Sequence, residues 1–192
     1  MADLILGSTT AISESSGAVA LGTGVTMANA TFPVGHVVKT SSVYFHNSGT
    51  QVVISANATW TEISSGLRLT HQASSATNIL LMTFSIAFNS PNTNVIYHGK
   101  FYNQGGSADI TLPPTSGSRT PAHWTIRVRS ADTNDMHMMH MIMRHVPGNT
   151  SAITYSPYFW TPSQDVDFFQ SDLNNTEGFM NGGTFIIQEI QA

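Results

Sequence analysis

No cysteine occurs among the 192 residues, so disulfides and thiolate chemistry are excluded and the redox compartment leaves no mark. Charge is almost as scarce. Asp, Glu, Lys and Arg make up 9% of the chain, against about 25% in an ordinary globular domain. The seven Lys and Arg are scattered, whereas phosphate-driven binding needs them concentrated, so no nucleic-acid partner is expected. A long apolar run is also missing. Ile79 to Phe88, broken by Thr83 and Ser85, is too short to span a bilayer as a helix, and no membrane partner is expected. The start, Met1-Ala2-Asp3-Leu4, has no basic region and no apolar core of a signal peptide, which predicts a soluble product made in the cytoplasm. A G-x-S-x-G nucleophile elbow, H-E-x-x-H, a P-loop and an EF-hand loop are absent. Gly22-Thr23-Gly24 lacks the third glycine of a dinucleotide fingerprint and reads as a turn.

What fills the chain instead is Ser, Thr, Asn and Gly around an apolar share of 41%. That share supports a core, and a chain of this length buries roughly 70% of its unfolded surface. A surface wetted by hydroxyls and amides loses little in desolvation when pressed against a neighbour. It suits permanent assembly, as it also suits adhesins. The net charge is −4. All Lys and Arg lie at or before Arg144, while Asp165, Asp167, Asp172, Glu177 and Glu189 follow it, an acidic C-terminal quarter that reads as a solvated face.

Residues 1–30 differ from the rest. Leu4 to Met27 is rich in small residues and has no aromatic, so it reads as an extended N-terminal arm, with Ala18–Leu21 able to form a strand. Residues 31–192 carry strand patterns. Val34–Lys39, Val43–Phe45, Gln51–Ala56, Thr59–Ile63 and Leu67–Thr70 come first. Ile79–Phe88, near-continuously apolar, fits a central strand packed on both faces. Val95–Tyr102, a Gly105-Gly106 turn and Asp109–Leu112 follow, then a polar loop over 115–121. In His123–Arg129, Trp124, Ile126 and Val128 alternate with Thr125, Arg127 and Arg129. Met136–Val146, Ile153–Trp160 and Gly183–Ile190 complete the strands, and Asp165–Leu173 is the one short-helix candidate. About ten strands without an internal repeat predict an all-β fold, a β-sandwich or jelly roll with an extended N-terminal arm.

Three features invite a chemical reading. Met136–His145 holds five of the nine methionines and three of the eight histidines, and thioether with imidazole is a soft-metal donor set. Strand geometry opposes it: His137 and His145 share a face about 26 Å apart, and His140 points the other way. Methionine as adaptable packing is the expected role, with convergence of one histidine from each of three chains on a threefold axis left open. Asp165 and Asp167 have the residue type of a glycosidase pair, which requires carboxylates facing across a cleft; two on one segment read as surface acids. Tyr155, Tyr158, Phe159 and Trp160 read as core or as a sugar-stacking platform beside Asn and Gln. The N-x-S/T triplets at Asn29, Asn57, Asn149 and Asn174 mean little without a secretory signal. No catalytic, cofactor-binding or metal residue is assigned.

Thr31-Phe32-Pro33-Val34-Gly35-His36-Val37-Val38 resembles the F-P-x-G-H-V-[IV] opening of a domain frequent in tailed-phage virion proteins, where a Ser/Thr-rich arm precedes it. Thr59-Trp60-Thr61-Glu62-Ile63, Gly66-Leu67-Arg68-Leu69 and Asn78–Phe84 are similar to its next segments. Thr184-Phe185-Ile186-Ile187-Gln188-Glu189-Ile190 resembles its terminal T-[IL]-x-x-x-E-[IL] strand. The P-x-x-x-S-K-I segment of that family is not matched by Ala73–Ile79. The resemblance implies a trimeric β-sandwich of the virion, non-enzymatic and without cofactor. Size and the short arm predict a cement or decoration protein on the capsid surface, partnered by the major capsid protein and by itself as a homotrimer. The alternative is a tail-fibre or head-fibre protein that binds a host glycan.

Overall fold

The computed structural model describes residues 4–6, 9–15, 18–21, 33–46, 51–90, 94–129, 136–163, 165–169 and 182–192. The chain divides into two units, Met1–Pro33 and Val34–Ala192. In the first unit, β1 (Leu4–Leu6), β2 (Thr9–Ser15) and β3 (Ala18–Leu21) form an antiparallel sheet in the order β1-β2-β3. The segment read as an arm thus contains three strands paired with one another, the last being the strand noted at Ala18–Leu21.

The second unit continues with β4 (Val37–Phe45), β5 (Val52–Ile54), β6 (Trp60–Glu62), a 3-10 turn at Ser65–Leu67, β7 (Leu69–Gln72) and β8 (Ile79–Asn89). Then come β9 (Val95–Asn103), β10 (Ala108–Asp109), β11 (Trp124–Val128), β12 (Met136–His145), β13 (Ala152–Trp160), β14 (Val166–Phe168) and β15 (Gly183–Ile190). All pairings are antiparallel. In one sheet, β12 pairs with β8 along the whole strand, from Met136↔Asn89 to His145↔Leu80. The opposite edge of β8 is shared by β15, then β4, and by β14, then β5. In the other sheet, β9 and β13 pair at the centre. β11 and β10 share the free side of β9, and β7 and β6 share that of β13.

The two sheets enclose one core, making an all-β sandwich. Period-two alternation sends Met82, Phe84, Ile86 and Phe88 inward from β8, Tyr97 and Phe101 from β9, Tyr155 and Phe159 from β13, and Phe185 and Ile187 from β15. Their rings meet edge-on or offset: Phe88 lies 5.4 Å from Phe159, and Phe101 lies 5.2 Å from Phe185. β8 is central in its sheet, as its apolar run predicts, yet only one face is fully buried. Ile79, Leu81, Thr83, Ser85 and Ala87 are half-buried, because a sheet in a two-layer sandwich has a single inner face.

Other departures have local causes. The short helix expected over Asp165–Leu173 is replaced at Val166–Phe168 by β14, which wedges between β8 and β5; residues 170–173 lie outside the described residues. Phe169 ends that strand at φ +71° and turns its ring onto Phe45, 5.4 Å away. The strand expected over Asp109–Leu112 stops at Asp109. Proline in the middle of β13 breaks the usual rule for central strands. Its place explains it: β7 pairs with β13 through Tyr155, β6 begins at Tyr158, and Pro157 falls in the gap. The Ile63 N–H donates to the Pro157 carbonyl at 3.1 Å, so residue 157 turns its amide edge toward that gap, where the ladder needs no donor.

The two segments that carry the phage resemblance are neighbours. β15 pairs with β4, Gly35 N–H donates to the Gln191 carbonyl at 2.8 Å, and Gln191 N–H donates to the His36 carbonyl at 2.8 Å. Gly35 sits at φ +88°, a conformation that a side chain would strain, which is why the opening motif needs glycine there.

Candidate functional site

The outer face of the β9–β13 sheet collects the polar and aromatic residues that alternation keeps from the core. On β13, Tyr155 and Phe159 turn inward, whereas Tyr158 and Trp160 turn outward. The aromatic run read as core or platform is therefore both. Register sets Trp160 beside Trp60 and His98, and Tyr158 beside Glu62 and Lys100. Half of this face is interlocked. The Tyr102 and Tyr158 rings lie 4.6 Å apart, tilted by 37°, and the Lys100 ammonium lies 4.5 Å over the Trp60 ring while pairing with Asp109. Glu62 accepts both ends of the Arg68 guanidinium at 2.8 and 2.7 Å. Gln104 Nε2 reaches Ser156 Oγ at 2.6 Å and Glu62 at 3.0 Å.

The other half opens into a cleft of about 610 Å³. Trp160, His98 and Ile96 line it together with Thr125 of β11 and the Ser118–Thr120 stretch of the long loop. The walls are tied down. His98 Nδ1 meets Thr125 Oγ1 at 2.8 Å, and the His98 and Trp160 rings lie 5.1 Å apart. His123 holds the base of the long loop: its Nδ1 accepts the Phe101 N–H at 3.0 Å, and its Nε2–H donates to the Thr111 carbonyl at 3.1 Å. Burial pulls the imidazoles of His98 and His123 below their ordinary pKa, so both are neutral near pH 7. Arg119 also lines the cleft and belongs to no ion pair among the described residues.

β12 shows the alternation expected of it. Met139 and Met141 are fully buried, with Met143, His137 and His145 partly so, while Met138, His140, Ile142 and Arg144 face out. The buried methionines lie against Gly99, where a Cβ would come within 2.2 Å of Met139 Cε and 2.9 Å of Met141 Sδ. The bare backbone of β9 is what admits two thioethers between the sheets. His137 packs on Phe88 at 5.6 Å and His145 on Tyr155 at 5.9 Å, at opposite ends of the strand. No group of three metal-ligating residues occurs among the described residues. His137 Nε2, His145 Nδ1 and the Tyr155 hydroxyl are buried without a partner among the described residues. Burial pushes the Tyr155 hydroxyl up to about 12 and the His145 imidazole down.

The acidic C-terminal quarter does not form one solvated face. Asp165 is exposed and accepts the Ala56 N–H at 2.8 Å. Asp167 is half-buried on β14, and burial raises its pKa. Two residues apart on one segment, they do not confront each other across a cleft. Glu189 corrects the expectation outright, since it is fully buried. Its carboxylate accepts from Ser74 N–H at 2.7 Å, Ser74 Oγ, Asn78 Nδ2 at 2.7 Å and His71 Nε2 at 3.3 Å. Burial alone would raise its pKa, but these donors hold it below the ordinary carboxylate range. His71 Nδ1 in turn meets Ser41 Oγ at 2.9 Å. Ser41, His71 and Glu189 have the residue types of a hydrolytic triad, but Ser41 sits mid-strand on β4 rather than on an exposed turn. The network acts as a brace joining β4, β7, β15 and the 74–78 turn. Sequence reasoning missed it; the apolar neighbours of Glu189 on an alternating strand were the available signal.

The glycosylation-like triplets at Asn57 and Asn149 are turns: Asn57 Oδ1 accepts from Thr59 N–H and Oγ1, and Asn149 Oδ1 from Ser151 N–H. Asn29, Asn174 and Gly22-Thr23-Gly24 lie outside the described residues.

No family model matches the chain, and no curated protein matches it. Among solved structures, one of infectious bursal disease virus, Gx strain, is similar at 11% identity and a TM-score of 0.41, covering 81% of this chain. The chain spans about a third of that neighbour, 33% of its length.

Proposed function

We propose that this protein is a non-enzymatic structural subunit of a tailed-phage virion, a decoration or cement protein that binds the assembled head as a homotrimer. The observation that carries the proposal is the edge of the sandwich at β12. This strand of ten residues pairs only with β8 among the described strands, and its outward side chains Met138 and Ile142 are 57% and 59% exposed. A long edge that no second described strand covers, with exposed apolar side chains alternating with His140 and Arg144, is a liability for a protein that stays single and a docking device for one that assembles. The scarcity of charge favours the same reading, as does the similarity of the paired β4 and β15 segments to the opening and closing motifs of phage virion domains. Binding only the assembled shell would stabilise it by mass action.

Electron microscopy of intact particles tests this. Symmetry-arranged copies over the head are expected. A few copies confined to the tail would overturn the head assignment in favour of a fibre role, and absence from particles would overturn the virion role itself.

A further inference from the structure

The cleft on the outer face of the β9–β13 sheet has no part in the assembly reading. Its composition is specific. Trp160 lines the cleft, its ring 5.1 Å from that of His98 and its position paired with Trp60 across the ladder. It is also lined by short hydroxyls, among them Thr125 and Ser118, and by Arg119, which belongs to no ion pair among the described residues. A flat indole beside fixed hydroxyls matches the two faces of a pyranose, whose C–H groups stack on aromatic rings while its hydroxyls exchange hydrogen bonds. Arg119 adds charge selectivity. Among the described residues no carboxylate lines the cleft, and Arg127 stands opposite Ile96 on the neighbouring strand. A guanidinium without an internal partner is built to take a planar carboxylate in two parallel hydrogen bonds.

We propose that this cleft is a binding site for an acidic saccharide, with the sugar ring stacked on Trp160 and its carboxylate held by Arg119. The neutral half of the recognition belongs to the hydroxyls of the cleft walls. Trp60, with Lys100 seated over its ring, is occupied internally and contributes no stacking face. The strand side of the site is held in place, since His98 is tied to Thr125 and His123 anchors the start of the long loop at Thr111; Ser118 and Arg119, exposed on that loop, settle on the ligand. The proposal does not rest on the virion reading, because it concerns a different face from β12.

The test uses the full chain and defined probes: a glucuronic-acid-containing oligosaccharide, N-acetylneuraminic acid, and a neutral glucose oligosaccharide of matched length. Saturation-transfer NMR maps contact, and titration calorimetry gives affinity. At least one acidic probe is expected to bind, with ring protons receiving saturation, and the neutral probe is expected to bind about ten-fold more weakly. Arg119→Ala should lower the acidic probe to the level of the neutral one, a change of about ten-fold, with unfolding unchanged. Trp160→Ala should abolish binding. Trp160→Tyr keeps a stacking ring and guards against a folding defect, so it should retain binding within about ten-fold. No binding by either acidic probe at millimolar concentration, or binding indifferent to Arg119→Ala and Trp160→Ala, would overturn the site. Such a failure leaves particle location untouched, and location on the head or tail leaves this site untouched.

Discussion

At the scale of single residues, the inner face of β12 is the most demanding place in the sandwich. Met141 is fully buried and its sulfur lies against the backbone of Gly99. Truncation to alanine leaves a cavity that flanking strands cannot close, so Met141→Ala should destabilise by about 2–5 kcal/mol; chemical denaturation monitored by tryptophan fluorescence measures it. Tyr155 presents the opposite case. Its ring fills the core, but its hydroxyl is buried with no partner among the described residues, and burial pushes its pKa up to about 12. Removing an unsatisfied hydroxyl removes a desolvation cost, so Tyr155→Phe should raise stability by about 1 kcal/mol. A loss of stability in that variant would show that the hydroxyl is satisfied by bound water.

At the scale of elements, the buried brace from Glu189 to His71 and Ser41 ties β15, β7 and β4 together. It belongs with a wider set of histidines. Desolvation lowers the pKa of His71, His98, His123 and His145 from the ordinary 6.5. The sign follows directly. As pH drops below 6.5, the unfolded chain binds protons on these imidazoles while the folded one does not, so the unfolded state gains. Glu189, also lowered, adds its share at still lower pH, where the unfolded carboxylate protonates first. The melting temperature should therefore fall steadily between pH 7 and pH 5 and further below it. A flat profile in differential scanning calorimetry across that range would contradict the buried, neutral histidines.

At the scale of the whole molecule, the chain divides into Met1–Pro33 and Val34–Ala192. Every strand of the sandwich lies in the second unit, so deleting residues 2–28 should leave a β-type circular dichroism spectrum. Loss of binding to undecorated heads is expected in the same variant, and full binding by the truncated chain would remove the attachment role. The proposed trimer would cover the exposed apolar side chains of β12. Equilibrium sedimentation should show a trimer at micromolar concentration, whereas a folded monomer there would refute self-assembly.

The amino-acid sequence by itself determined where most strands of the sandwich lie and which way their side chains turn. Alternation is a property of the extended backbone, so the two faces of Met136–His145, the inward Trp124, Ile126 and Val128, and the terminal strand Gly183–Ile190 were all legible before any partner strand was known. Where neighbours far along the chain decide, it was silent. Pro157 is tolerated only because β7 ends and β6 begins beside it, and Val166–Phe168 becomes a strand only because β5 and β8 leave an edge to fill. Glu189 reads as one acid among several, yet tertiary pairing surrounds it with donors from residues 71–78. The cleft is decided in the same way. Trp160 and His98 meet across the β9–β13 ladder, and Arg119 arrives from a loop between β10 and β11. Side-chain direction is a local consequence of chirality and pleat, whereas which residues meet depends on strand pairing that closes loops of tens of residues, and no local pattern encodes that choice.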